Sequence, residues 1–443
     1  MDTNRVLNIL AVQFVVIVVL CGGSSRYDSL AQIPVRLSAL LLIGWVLVAT
    51  KRPHVWNRQL ITMFGLFAAL CVAQLIPLPA EIWFQLPGRS DFVNAVRSAG
   101  VSQFWRPVNF LPDMGLNTLF AMIPPLAVMA FWSIRAKANV RADAIGVILI
   151  AFASAVLGLL QVLSGDDSPL RAYEITSRDS AVGFFANRNH QALLLACSVP
   201  LLGLVGSTSN SASGKGKIEL LVIAALVAFQ LVMILATGSR AGLLWAGIGF
   251  CSAAFFLREH LWFAATQAST KAKYAFFALS AVFVALIFAV SRSPIAIAID
   301  RIFQTKTSIE VRYQIWPTLA DMFWAFFPYG SGFGSFARLY RRFETSDALE
   351  MTYLNHAHND LYELAIEGGL PAILIVLIFA VWWGFQCWRA VAKNSLLAQA
   401  GMSVGSMILA SSLVDYPLRT PLFACFMTGI CLWMADRKQN DRR

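Results

Sequence analysis

Two of the chain's five histidines stand two residues apart, in Asn355-His356-Ala357-His358-Asn359-Asp360. An imidazole titrates near neutral pH, so such a cluster can take a proton from an attacking hydroxyl. His356, His358 and Asp360 are also a partial ligand set for a metal, and the same residues could simply cap a helix at a membrane interface. A second feature is the very short link Thr237-Gly238-Ser239-Arg240 between two apolar runs. It sets Arg240 at a helix N-terminus, where a planar guanidinium can grip two phosphate oxygens at once. A snorkelling arginine at a helix end would occupy the same place.

These residues sit in a chain built for lipid. It has 443 residues, is 58% hydrophobic and 13% charged, with a mean hydropathy of +0.65. A soluble body of this size would need far more polar surface. Apolar runs near 6–23, 33–50, 59–76, 116–134, 144–163, 189–206, 217–236, 241–257, 274–291, 368–388, 398–414 and 420–435 are each long enough to cross a bilayer. Only helices satisfy their own backbone in lipid at this spacing, so an all-α bundle of about 12 spans is expected. Lysine and arginine set its orientation. With both termini cytoplasmic, the inner segments hold 18 basic and 6 acidic residues and the outer ones 17 and 18. Eight of the nine lysines then lie inside, whereas 16 of the 17 outer basic residues are arginine. Most of these pair with the outer acids; a few are suited to an anionic ligand.

Three outer segments are too long or too polar to be plain turns. Residues 77–115 are rich in proline and aromatics and suit a loop along the headgroup region. Residues 164–188 are dense in charge, and residues 292–358 form the largest loop. Within it Ile309, Tyr313, Trp316, Ala320, Phe323 and Phe326 or Phe327 recur at helical spacing, which predicts an amphipathic helix. Gly330-Ser331-Gly332-Phe333-Gly334 predicts a tight turn. Seven cysteines lie in or near the apolar runs without a CxxC pair, which argues against a disulfide framework or a thiolate metal site. Ser207–Gly216 reads as a flexible cytoplasmic linker. The first span serves as its own insertion signal.

Four segments together resemble the bacterial O-antigen ligase and polymerase superfamily. They are Gly183-Phe184-Phe185-Ala186-Asn187-Arg188-Asn189-His190, the Thr237–Arg240 turn, Arg312 with Trp316 and the glycine stretch 330–336, and His358-Asn359-Asp360 ahead of Glu367-Gly368-Gly369-Leu370-Pro371. The resemblance covers roughly 180–420. It implies three parts: N-terminal spans 1–180 with the 77–115 loop, a ligase-like membrane region 181–436 with periplasmic loop 292–358, and a basic cytoplasmic tail 437–443. It further implies a cofactor-free, metal-independent glycosyltransferase of the bacterial inner membrane, acting at the periplasmic face on an undecaprenyl-pyrophosphate-linked glycan. A leaving pyrophosphate needs its charge neutralised, and arginines can do this without a metal. Arg240 and Arg312, with Arg188 third, are the pyrophosphate candidates; His358 is the base; His356, Asn359, Asn187 and Ser239 support. The acceptor is either another carrier-linked repeat unit, as in an exopolysaccharide polymerase, or lipid A-core, as in a ligase. Membrane lipids and other polysaccharide assembly proteins are the expected partners, and nucleic acid is not. A transporter or flippase of lipid-linked oligosaccharide is the rival class. It would place charges near the bilayer midplane and show related halves, and the sequence shows neither.

Overall fold

The computed structural model describes residues 3–51, 54–100, 105–135, 139–209, 213–267, 306–345 and 354–436. Its helices are α1 (Thr3–Cys21), α2 (Gln32–Ala49), α3 (Arg58–Leu75), α4 (Ala80–Trp83), α5 (Ser90–Ser98), α6 (Pro112–Ala121), α7 (Ile123–Ser133), α8 (Val140–Leu163) and α9 (Arg188–Ser207). There follow α10 (Gly214–Ala236), α11 (Arg240–Phe256), α12 (Arg258–Gln267), α13 (Lys306–Phe326), α14 (Phe336–Phe343), α15 (Asp360–Ala392), α16 (Leu396–Ser411) and α17 (Pro421–Ala435). Among the described residues, eight stretches are long and apolar enough to cross a membrane: α1, α2, α3, α6 with α7, α8, α9, α10 and α15. The apolar helices α11, α16 and α17 are shorter and fall on three more of the expected runs. The run at 274–291 lies outside the described residues. So do residues 210–212 of the linker, 292–305 and 346–353 of the largest loop, and the tail 437–443.

Three expectations change. The run at 116–134 is two helices, because Pro124 and Pro125 lack the N–H groups a continuous helix needs there; both prolines open α7. The run at 368–388 is the second part of α15, which starts at Asp360 and breaks at the non-helical Gly369 (φ 62°). Its polar first turns are held by partners inside the protein, so they need no water. Residues 77–115 are more than a headgroup loop. Pro77–Pro79 (β1) pairs antiparallel with Trp105–Pro107 (β2), and α4 and α5 lie between them. Inside this cap Arg89 is 1% exposed, with its guanidinium 4.0 Å from the Phe110 ring centre and Nη1 donating to the Pro87 carbonyl.

α9 is the centre of the bundle. Every side chain from His190 to Gly206 is buried, with α8, α10, α11 and α16 packed around it. The α9–α11 contact is close because it is made by small residues: a Cβ added at Gly203 would lie 2.6 Å from the Ala253 Cα. The amphipathic helix of the large loop is present as α13. Its buried stripe is Ile315, Leu319, Met322 and Phe326, a register shifted from the expected one, and Trp316 and Trp324 are exposed. The stripe packs on Phe336, Tyr340 and Ile366. Hydrogen bonds also tie the 77–115 cap to the glycine turn: Phe110 N–H donates to the Ser331 carbonyl and Asn109 Nδ2 to that of Phe333.

Candidate active site

The site forms where the N-termini of α9, α11 and α15 meet the short link between α16 and α17. Asn187 caps α9 by accepting from Asn189 N–H. Ser239 caps α11 by accepting from Gly242 N–H. Each cap leaves an arginine as the first residue of its helix, Arg188 on α9 and Arg240 on α11, both half-buried. The two helix starts are tied directly, since the Ser239 hydroxyl donates to Asn189 Oδ1 at 2.8 Å. A helix N-terminus exposes backbone N–H groups and a positive dipole end, so this pairing of starts suits an anion.

Asn189 also donates through Nδ2 to the buried carboxylate of Asp415 at 2.8 Å. Asp415 in turn lies 3.4 Å from His358 Nδ1 and 3.8 Å from His190 Nε2. Burial alone would push the Asp415 carboxyl up. The contact with His358 and the pull of His190 and Asn189 outweigh it and hold the group well below the usual carboxylate range. An ionised carboxylate behind Nδ1 orients the imidazole and leaves Nε2 for a substrate. His358 is 28% exposed, so a ligand can reach it. Its backbone has φ 49°, the left-handed region that few non-glycine residues adopt.

Tyr416 sits among three imidazoles, with ring centres 4.4 Å from His356, 5.1 Å from His358 and 5.3 Å from His190. His356 has its own carboxylate: its Nδ1 is 3.0 Å from Glu363 Oε1. Burial lowers the His356 pKa from its ordinary value, with Glu363 opposing. Arg419 closes the cluster. Its Nε donates to Asp360 at 3.1 Å, and its Nη2 lies 3.1 Å from Glu363 and 3.7 Å from Glu367. Burial works against the Arg419 charge, but the three carboxylates outweigh it and hold the guanidinium above its ordinary pKa.

Residues 225–377 match the O-antigen ligase family model. Over that segment the chain is similar to the O-antigen ligase family. Members of that family are membrane glycosyltransferases or ligases. A search of curated proteins finds no match. The ligase segment carries Ser239, Arg240, His356, His358, Glu363 and Glu367. Asn187, Asn189, His190, Asp415 and Arg419 lie outside it in sequence and fold onto it.

Of the residues expected from sequence, Asn187, Arg188, Ser239, Arg240, His356, His358 and Asn359 belong to the segments that converge here. Asn359 has a helix-capping task, accepting from Tyr362 N–H. The Arg312 backbone is on α13, and its side chain lies outside the described residues. His356, His358 and Asp360, weighed as a metal set, turn instead to Glu363, Asp415 and Arg419. Among the described residues no group of three or more His, Cys, Asp or Glu side chains could hold a metal ion. Sequence reading missed Asp415, Tyr416, Arg419 and Glu363, and it met His190 and Glu367 only as parts of the family-like segments, without a role. One signal was available: the link 415–419, DYPLR, puts an acid and an arginine into five residues between two apolar runs.

Proposed function

We propose that this protein transfers a glycan from undecaprenyl pyrophosphate to a sugar hydroxyl at the periplasmic face of the bacterial inner membrane, polymerising repeat units of a surface polysaccharide. One observation carries the reading: the His358–Asp415 pair is joined through Asn189 and Ser239 to the helix starts that bear Arg188 and Arg240. A base and an anion site therefore share one polar frame.

In this scheme His358 takes the proton of the acceptor hydroxyl as its oxygen bonds to the anomeric carbon. The bond from that carbon to the pyrophosphate oxygen breaks, and Arg240, Arg312 and Arg188 stabilise the charge that develops on the leaving group. No cofactor or metal takes part. An apolar crevice of about 380 Å³ between α1, α7, α8 and α17 starts one turn below His190, at Leu194, and is lined by Phe14, Val18, Phe131, Val147 and Phe426. It offers the carrier's tail a place beside the site.

The match to the O-antigen ligase model favours a second acceptor, lipid A-core. Purified protein given a defined lipid-pyrophosphate glycan and both acceptors in vesicles tests the proposal. A longer carrier-linked glycan is expected. Product on lipid A-core alone would make the protein a ligase. Donor crossing the vesicle without a new glycosidic bond would make it a transporter.

A further inference from the structure

The left-handed backbone at His358 has to be held by its surroundings. Such a conformation is strained in a non-glycine residue and persists only where neighbouring groups over-determine it. The residues on either side of His358 are both fastened. After it, Asp360 N–H donates to the Ser412 carbonyl at 2.8 Å, and Asn359 caps α15. Before it, both oxygens of one carboxylate are used. Glu363 Oε2 accepts from Ala357 N–H at 2.8 Å, and Oε1 lies 3.0 Å from His356 Nδ1.

Glu363 is 2% exposed and is fixed from its other side by Arg419. That guanidinium touches Asp360, Glu363 and Glu367, which lie three and four residues apart on one face of α15. Glu367 Oε1 accepts from Phe336 N–H at 3.0 Å, so the same cluster reaches the turn after the glycine stretch. Arg419 comes from the α16–α17 link that also supplies Asp415. One link thus places the carboxylate that faces His358 and braces the carboxylate that bends the chain towards it.

We infer that Glu363 is a positioning residue for His358, and that Arg419 acts through Glu363. The inference rests on the proposed base role of His358. Neither residue needs to touch donor or acceptor; their task is to keep Nδ1 of His358 against Asp415 and Nε2 aimed at the acceptor. Misplacement of a reacting group by about 1 Å can cost about 100-fold in rate.

The test compares Glu363→Gln with wild type, using the lipid-pyrophosphate glycan donor and a sugar acceptor. Glutamine keeps the size and one acceptor oxygen but loses the charge that holds His356 and Arg419 together. The expected result is a fall in kcat of about 10- to 100-fold with the donor KM within about twofold. A second measurement separates positioning from general damage. In a His358→Gln background, adding Glu363→Gln should lower the residual kcat less than about twofold, because no base remains to be placed. If Glu363→Gln does not accumulate in membranes, Arg419→Lys, which keeps the charge and loses the fork, should give the same kcat-only loss on a smaller scale. Unchanged kcat in the variant that accumulates, a loss confined to KM, or fully multiplicative losses with His358→Gln would each overturn the inference while wild type still transfers glycan. No transfer by wild type would overturn the functional reading and this inference with it.

Discussion

Asn189 donates its side-chain amide to Asp415 at 2.8 Å, joining the start of the central helix to the last link between helices. With its carbonyl it accepts from Ser239 at 2.8 Å, so this amide bridges the carboxylate and the start of α11. Its two polar groups face opposite demands, and reversing the side chain would present donor to donor and acceptor to carboxylate.

The first consequence concerns Asp415 itself. Asp415→Asn preserves shape but removes the charge that faces Nδ1 of His358. Turnover of a lipid-pyrophosphate donor is expected to fall by about 10²–10⁴-fold, similar to the loss in His358→Ala. The double variant should be little worse than either single one. A double variant that multiplies the two losses would show the residues working separately.

Arginine geometry makes the second prediction. Arg240→Lys keeps a positive charge at the start of α11 but cannot present two parallel N–H groups to a phosphate. It should lose most activity, and Arg240→Ala should lose about 10²–10³-fold, with membrane insertion unaffected. Full activity in the alanine variant, measured with the same donor, would remove Arg240 from the site.

A third prediction is set by pH. Burial lowers the folded-state pKa of His356, so the unfolded chain takes up the proton first as the solution is acidified. The contribution of the neutral His356 to stability is then complete above its unfolded pKa of about 6.5 and is lost as pH falls below that. The melting temperature of the detergent-solubilised protein should drop as pH falls below about 6.5. In His356→Gln that drop should be shallower. An equally steep drop in the variant would assign it to other groups.

Orientation supplies the fourth. A cysteine replacing Ser308, at the start of α13, should react with a membrane-impermeant thiol reagent in intact spheroplasts, and one replacing Ser211 should not. The opposite labelling would put the whole site on the cytoplasmic side.

The membrane helices were legible because a bilayer imposes one strong rule on length and polarity, and α1–α3 and α8–α10 follow the apolar runs closely. What the hydropathy pattern blurred were helix ends whose polar groups find partners in the protein. The start of α15 at Asp360 is the clearest case, since Asp360, Glu363 and Glu367 look like loop residues until Arg419 is beside them. The site divided along the same line. His358, Ser239 and Arg240 stand out by type and local pattern, as does Asn187. Asp415, Arg419 and His190 acquire meaning only through partners distant in the chain, and an isolated acid or histidine beside an apolar run carries no local mark of such a partner. The stripe of α13 was misplaced for a different reason. Of the aromatics at helical spacing, Phe326 is buried but Trp316 is exposed, and Ile315, Leu319 and Met322 fill the rest of the interior stripe.

The α16–α17 link also bears on how the molecule comes into being. Chains enter the membrane from the N-terminus onward, so α9, α11 and the start of α15 are in place before residues 415–419 have been made. Until then the histidines have no carboxylate from Asp415, and the acids of α15 have no guanidinium. The contacts that join His358, Asn189 and the acids of α15 therefore close only when this last hairpin is in place.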